Sequence, residues 1–148
     1  MKYQLLVFVL IIITSVGCKS SLEKRIANRA DKCENCKIRL VDFTNFQWDK
    51  MYVFNYSVSP DEVDNALGLE YSNDDYEEFT RPWIFVKNNK VVYAEDNPYN
   101  IEGVVSDEVA FDQSDSVRVI SYTPNTAVFK AKKERSGGNK YYVLYQVK

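Results

Sequence analysis

Apolar and polar residues alternate along the chain from Lys37 onward, and this pattern predicts β-strands. In the stretch Lys37–Phe43, Ile38 and Leu40 fall on one face, because successive side chains of a strand point to opposite sides. A segment dense in aromatic and β-branched residues predicts another strand over Lys50–Ser57. The pattern indicates a sheet-forming domain that begins at Lys37.

The segment that follows these strands has the clearest helix signal in the chain. Ser59 suits the N-cap, Pro60 suits the first helical position, and Glu62 completes a capping box. Gly68 is typical of a helix C-terminus. The apolar residues between them share one helical face: Val63, Ala66 and Leu67. We therefore predict one short, well-capped helix here.

Two later segments have the pattern of β-hairpins. Apolar runs over Trp83–Val86 and Val91–Ala94 flank Asn88-Asn89, and asparagine tolerates the left-handed backbone of tight turns. A second hairpin is predicted around the Ser-Gly-Gly-Asn sequence at 136–139. We predict an α+β domain with an antiparallel sheet of about six strands and one or two short helices.

The chain begins with an apolar run, Leu5–Ile13, that follows a single positive charge at Lys2. This run is shorter than the ~20 apolar residues that a transmembrane helix needs. A charged start followed by ~7–15 apolar residues is typical of a secretory signal peptide. We therefore predict that residues 1–17 are a signal peptide.

Small residues and a cysteine follow the apolar run, in the order Ser15, Val16, Gly17 and Cys18. This stretch resembles the lipobox of bacterial lipoproteins, although Ser15 stands where that motif usually has leucine. The resemblance implies that the leader is cut before Cys18 and that Cys18 is lipidated, which would anchor the chain stably in a membrane. Lys19 replaces the aspartate that retains lipoproteins at the inner membrane, so the outer membrane is favoured. An uncleaved signal anchor is the alternative.

Residues 18–36 are polar, charged and poor in apolar side chains. A short helix capped by Ser21 is one interpretation, and a flexible spacer that holds the domain off the membrane is the other. We favour a spacer with a nascent helix, so that residues 37–148 form a single α+β domain.

Part of the domain resembles a recurring arrangement in small bacterial envelope proteins. The resemblance rests on Trp48, Asp49, Pro60, Leu67, Gly68 and the run Phe85–Val92, and it covers about half of the mature chain. Asn89 stands where those proteins more often have glycine. The resemblance implies the fold and an envelope location, and it implies no catalytic residues.

The composition excludes several classes of function. The chain contains no histidine, which excludes Ser-His-Asp and Cys-His catalysis and histidine-ligated haem. Its formal net charge is −2, whereas a nucleic-acid binder shows a strongly basic balance. We predict no nucleic-acid partner and no cofactor.

The two other cysteines, Cys33 and Cys36, have the Cys-x-x-Cys spacing of redox and metal sites. A thioredoxin-like site needs a βαβ context that is missing here, and a zinc site needs four ligands. A local disulfide in an oxidising compartment is favoured. Thiol–disulfide exchange and metal binding are the alternatives.

Two clusters of charged residues are candidates for partner binding. An acidic segment combines carboxylates with aromatic rings, as interfaces do, at Tyr71, Asp74, Asp75, Tyr76, Glu77 and Glu78. A basic cluster surrounds the last hairpin at Lys130, Lys132, Lys133, Arg135 and Lys140. The alternatives are a solvated loop for the first and lysines that protect an edge strand for the second. A pair between Asp49 and Arg81 is a further hypothesis.

These observations favour a membrane-anchored, non-catalytic lipoprotein that binds an envelope protein or a glycan. A thiol–disulfide or metal-binding module at Cys33 and Cys36 is one alternative. A carboxylate-based hydrolase is the other, because glycoside hydrolysis needs only two acidic side chains.

Overall fold

The structure is a computed structural model that describes residues 20–56, 58–71, 80–100, 102–114 and 116–147. These residues form two α-helices and eight β-strands. The helices are α1 (Leu22–Asp31) and α2 (Pro60–Leu67), and the strands are β1 (Lys37–Arg39), β2 (Lys50–Phe54), β3 (Thr80–Lys87), β4 (Lys90–Pro98), β5 (Val109–Phe111), β6 (Val119–Tyr122), β7 (Val128–Ser136) and β8 (Asn139–Gln146). Within the described ranges, neither helix is long and apolar enough to cross a membrane.

The strands form two four-stranded sheets. Sheet A has the order β1-β7-β8-β5 and sheet B has the order β4-β3-β2-β6. Antiparallel pairing dominates, and β5 runs parallel to β8. The predicted α+β class is confirmed. The prediction of one sheet of about six strands is wrong, because strands as short as the three residues of β5 show too little alternation to be recognised.

The two sheets pack face to face around one hydrophobic core. Aromatic rings join them directly: Tyr122 of β6 lies 4.9 Å from Phe129 of β7, between ring centroids, and Trp83 of β3 lies 5.2 Å from Phe111 of β5. Both contacts have the edge-to-face geometry that aromatic pairs prefer. The described part of the chain is therefore a β-sandwich with added helices.

Helix α2 covers the opposite face of sheet B. Val63 of α2 is buried against Phe54 and Ile84 in a second hydrophobic cluster. The predicted capping box is confirmed: Ser59 Oγ accepts from the Glu62 N–H at 3.3 Å, and Glu62 Oε2 accepts from the Ser59 N–H at 2.7 Å. The helix ends, as predicted, at Gly68 in the left-handed conformation.

Both predicted hairpins are confirmed. Asn88 and Asn89 join β3 to β4 with φ angles of 50° and 57°, which asparagine adopts more readily than other side chains. Gly137 and Gly138 join β7 to β8 with φ angles of 58° and 86°. Both turns thus have the left-handed backbone conformation that matches the twist of the flanking strands.

Helix α1 is part of the folded domain, which corrects the interpretation of this segment as a spacer with a nascent helix. Leu22, Ile26 and Ala30 form a stripe along one side of the helix, and each is at most 2% exposed in the shared core. The segment has few apolar residues, but their spacing of four residues places all of them on the buried face. The described domain therefore begins at α1 and not at Lys37.

Candidate functional site

The first candidate site is the loop that follows α1. Cys33 and Cys36 are joined by a disulfide, with their Cα atoms 5.6 Å apart, a usual separation for this bond. Asn35 between them has a φ angle of 55°, so the loop turns sharply back toward β1. As a disulfide, the two sulfurs carry neither a nucleophilic thiolate nor a metal ligand.

A groove of about 530 Å³ separates this loop from β7. One wall is the chain from Asp31 to Asn35, and the other is Lys132, Lys133 and Glu134 of β7. Sheet A thus brings part of the predicted basic cluster next to the cysteine pair, although the two are about a hundred residues apart in the sequence. We call this feature the disulfide groove.

Asp31, which lines the disulfide groove, binds three side chains of sheet A. Its Oδ1 atom accepts a hydrogen bond from Tyr142 Oη at 2.8 Å and lies 2.9 Å from Lys133 Nζ and 3.2 Å from Lys140 Nζ. Bonds from Lys133, Tyr142 and Lys140 hold the pKa of the Asp31 carboxyl well below its usual range. Two cations of the predicted basic cluster are therefore paired within the domain.

Other charged side chains of the disulfide groove are exposed to solvent. Lys32 and Glu34 form no ion pair with any residue that the structure describes. Lys132 Nζ lies 5.5 Å from the centre of the Tyr145 ring. The groove thus offers charges of both signs on a wall that a disulfide holds in place.

A second polar cluster lies between α1 and the two sheets. Glu95 of β4 accepts hydrogen bonds from the backbone N–H groups of Leu22 at 2.7 Å and Glu23 at 2.9 Å. A carboxylate is favourable at this position, because the N-terminus of a helix has unpaired N–H groups and a positive dipole. Tyr93 Oη also donates to Glu95. Glu95 therefore fastens the first turn of α1 to sheet B.

Asn97 connects Glu95 to the rest of this cluster. Its amide orientation follows from the hydrogen-bond network: the nitrogen donates to Glu95 Oε1 at 2.9 Å and to Glu23 Oε2 at 3.1 Å, while the oxygen accepts from Trp83 Nε1 at 3.3 Å. Every polar atom of the buried amide then has a suitable partner, which buried polar groups require.

Arg81 and Glu108 complete the cluster with a buried ion pair. The side chain of Arg81 is 12% exposed and that of Glu108 is 9% exposed. The hypothesised pair between Asp49 and Arg81 does not form, since Asp49 instead accepts a hydrogen bond from the Asn88 N–H at 2.9 Å. The cluster as a whole combines three carboxyl groups with one guanidinium.

Glu23 is the titratable centre of this cluster. Burial raises the pKa of its carboxyl from 4.5 to about 7, and the carboxylates of Glu95 and Glu108 add to the rise. The N–H of Val109, which donates to Glu23 Oε1 at 2.9 Å, and the Arg81 guanidinium act in the opposite direction. Glu23 and Glu108 both line a groove of about 410 Å³ beside α1.

This cluster was not predicted from the sequence, although a signal for it was present. Trp83 and Glu95 are register partners in sheet B, as are Arg81 and Asn97. Polar residues at the inward positions of a strand indicate a buried polar network, because alternate residues share a face. Glu23 has no comparable signal, since its partners come from three distant segments.

Most of the predicted partner-binding segment lies outside the described residues, namely Asp74, Asp75, Tyr76, Glu77 and Glu78. Tyr71 is described and half-buried: its N–H donates to Asp64 Oδ1 at 2.9 Å and its ring packs against the α2 cluster. Cys18 and the predicted signal peptide at residues 1–17 also lie outside the described ranges.

Among the described residues, no group of three or more cysteine and acidic side chains is placed to hold a metal ion. Comparisons with protein-family models, with curated proteins and with solved structures found no match to this chain.

Proposed function

We propose that this chain is a bacterial envelope lipoprotein, anchored through a lipidated Cys18, whose domain is a non-catalytic binding module for an envelope protein or a glycan. The anchor is supported by the leader and by the Ser15–Cys18 lipobox pattern. The outer membrane is the favoured location, with the domain facing the periplasm or the cell surface.

The disulfide groove is the observation that carries the binding role. Its volume of about 530 Å³ lies within the range of sites that enclose a small ligand or one segment of a larger partner. A short disulfide loop restrains one wall and a β-strand forms the other, so little conformational entropy is lost when a partner binds. Exposed Lys32 and Glu34 favour a polar partner with charges of both signs.

The anchor is tested by comparing the wild type with Cys18→Ala. We expect the variant to lose the mass of the lipid and to leave the membrane fraction. An unchanged intact mass, with the leader still attached, would contradict the anchoring proposal.

The binding role is tested with a charge swap in the groove, Lys32→Glu/Glu34→Lys, which keeps the net charge. Beads that carry the purified domain are incubated with solubilised envelope proteins and, separately, with purified cell-wall glycan. We expect the swap to abolish capture, whereas a matched swap at exposed sites outside the groove, Lys90→Glu/Glu102→Lys, leaves capture intact. Equal capture by both variants would show that the groove is not the binding site.

Carboxylate-based hydrolysis is a second candidate function, favoured by one observation. Glu23, with its pKa raised to about 7, shares a groove with Glu108, and a raised carboxyl pKa suits a general acid at neutral pH. Turnover of chromogenic glycosides or esters that disappears in Glu23→Gln would support this role. Absence of turnover in the wild type would leave the binding module as the function.

A further inference from the structure

Helix α1 begins very close to the proposed lipid anchor. Ser21 is its N-cap and accepts a hydrogen bond from the Lys24 N–H at 3.1 Å, and Ser21 is the third residue after Cys18. Three residues of fully extended chain reach at most about 11 Å. A lipid on Cys18, which is part of the function proposed above, therefore holds the start of α1 near the headgroups.

The start of α1 cannot move away from the sheets to lengthen this tether. Leu22 is fully buried, and both Leu22 and Glu23 donate backbone hydrogen bonds to Glu95 of β4. Unwinding the first turn would expose Leu22 and leave a carboxylate without its donors, which costs several times the thermal energy. The tether therefore restrains the whole sandwich and not only the helix.

The surface beside the first turn of α1 is mostly polar and exposed. It consists of Ser21, Lys24 and Asn28 of the helix, with Pro98, Ser106 and Asp107 from the opposite side of the groove. We call this surface the tether face. We propose that the tether face lies against the phospholipid headgroups of the membrane that holds Cys18.

The tether, and not surface charge, imposes this contact. The residues of the tether face carry one cation, Lys24, and one anion, Asp107. Lys140 pairs with Asp107 and also with Asp31, so these charges balance and give no net attraction to an anionic bilayer. We therefore expect the tether face of the unlipidated domain not to bind a bilayer.

The disulfide groove adjoins the tether face on one side. It begins at Asp31, at the opposite end of a helix of ten residues, about 15 Å along the helix axis from the point of tether attachment. Lys140 connects the two surfaces, since its Nζ lies 3.2 Å from Asp31 Oδ1 and 3.1 Å from Asp107 Oδ1.

The orientation is tested with the lipidated full chain in phosphatidylcholine vesicles that contain a headgroup-attached nitroxide quencher. A fluorophore is attached at Lys24→Cys, at Ser106→Cys or at Lys90→Cys, and the parent chain reports background labelling. Lys90 lies eight residues along β4 from Pro98, about 26 Å away. We expect quenching at the first two sites and none at the third.

A longer tether is the control. Insertion of about 15 Gly and Ser residues between Lys19 and Ser20 adds roughly 21 Å of flexible reach, and we expect it to abolish quenching at Lys24→Cys and Ser106→Cys. Equal quenching at all three sites in a chain with the lipid mass would overturn the orientation. Absence of the lipid mass would instead overturn the anchor. Quenching of the unlipidated Cys18→Ala chain would show that the face binds lipid by itself and contradict a contact imposed by the tether.

Discussion

Glu95 Oε2 lies 2.7 Å from the backbone nitrogen of Leu22, across a sequence separation of 73 residues. This hydrogen bond ties the first turn of α1 to sheet B, while Asp31 at the other end of the helix binds Tyr142 of sheet A. Helix α1 is therefore attached to both sheets by hydrogen bonds. Glu23 in the first turn of α1 is partly buried, whereas Asp31 at the other end is exposed. The free energy of unfolding is therefore expected to depend on pH differently through these two carboxyl groups.

We expect the free energy of unfolding to fall as the pH rises through the titration of Glu23. The folded-state pKa of about 7 exceeds the unfolded value of 4.5, so the native state binds the proton more tightly. Stability is then greatest below about pH 4.5 for this group and decreases until the pH exceeds 7, by up to about 3 kcal/mol. Urea denaturation at pH 5 and pH 8 measures this difference.

Glu23→Gln should remove most of this pH dependence, because the amide does not ionise. An exposed carboxyl, Glu102→Gln, is the matched control and should keep the wild-type difference. The same dependence on pH in Glu23→Gln as in the wild type would show that another group is responsible.

Asp31 should contribute stability with the opposite sign. Its folded-state pKa lies below the unfolded value of 3.8, so the contribution is present above pH 3.8 and is lost as the pH falls further. Asp31→Asn should lower the urea midpoint at pH 7, and its difference from the wild type should shrink at pH 2.5. Asp42→Asn, at an exposed carboxyl, should leave the midpoint unchanged. A constant difference between wild type and Asp31→Asn across this range would contradict the ionic role.

Ser59→Ala should destabilise the domain by about 1 kcal/mol, because it leaves the Glu62 N–H without its capping oxygen. Chemical denaturation measures the loss. Ser106→Ala, at an exposed serine outside the helices, is the control and should change stability by less than half as much. Equal effects of the two substitutions would argue that the cap does not stabilise α2.

Reduction of the Cys33–Cys36 bond should lower the free energy of unfolding by about 2 kcal/mol, because the bond closes a short loop in the unfolded chain. Cys33→Ser/Cys36→Ser should reproduce this loss and should be insensitive to reductant. If the wild type also catalyses insulin reduction and the double variant does not, the pair has a redox role.

Local sequence predicted several elements correctly. The capping box at Ser59 and Glu62 and the turn at Asn88-Asn89 depend on interactions between near neighbours, and both appear in the structure. The role of α1 could not be predicted in the same way. Its segment has the composition of a spacer, and its stability comes from burial of Leu22 and Ile26 against residues far along the chain.

The candidate sites also depend partly on local sequence and partly on long-range packing. The Cys33–Cys36 spacing is visible in the sequence, but its position opposite Lys132 and Lys133 results from the packing of α1 beside β7. The raised pKa of Glu23 depends on burial and on carboxylates from β4 and from the segment just before β5. Neither relationship has a local sequence pattern.

The sequence by itself determined the α+β class, the capped helix and both hairpins, because side-chain alternation and turn conformation are properties of short segments. Only the tertiary structure decided that the strands divide into two sheets, that α1 joins them, and that Glu23, Arg81, Glu95, Asn97 and Glu108 form one network. Those features depend on contacts between residues tens of positions apart, where burial and charge act through space and not along the chain.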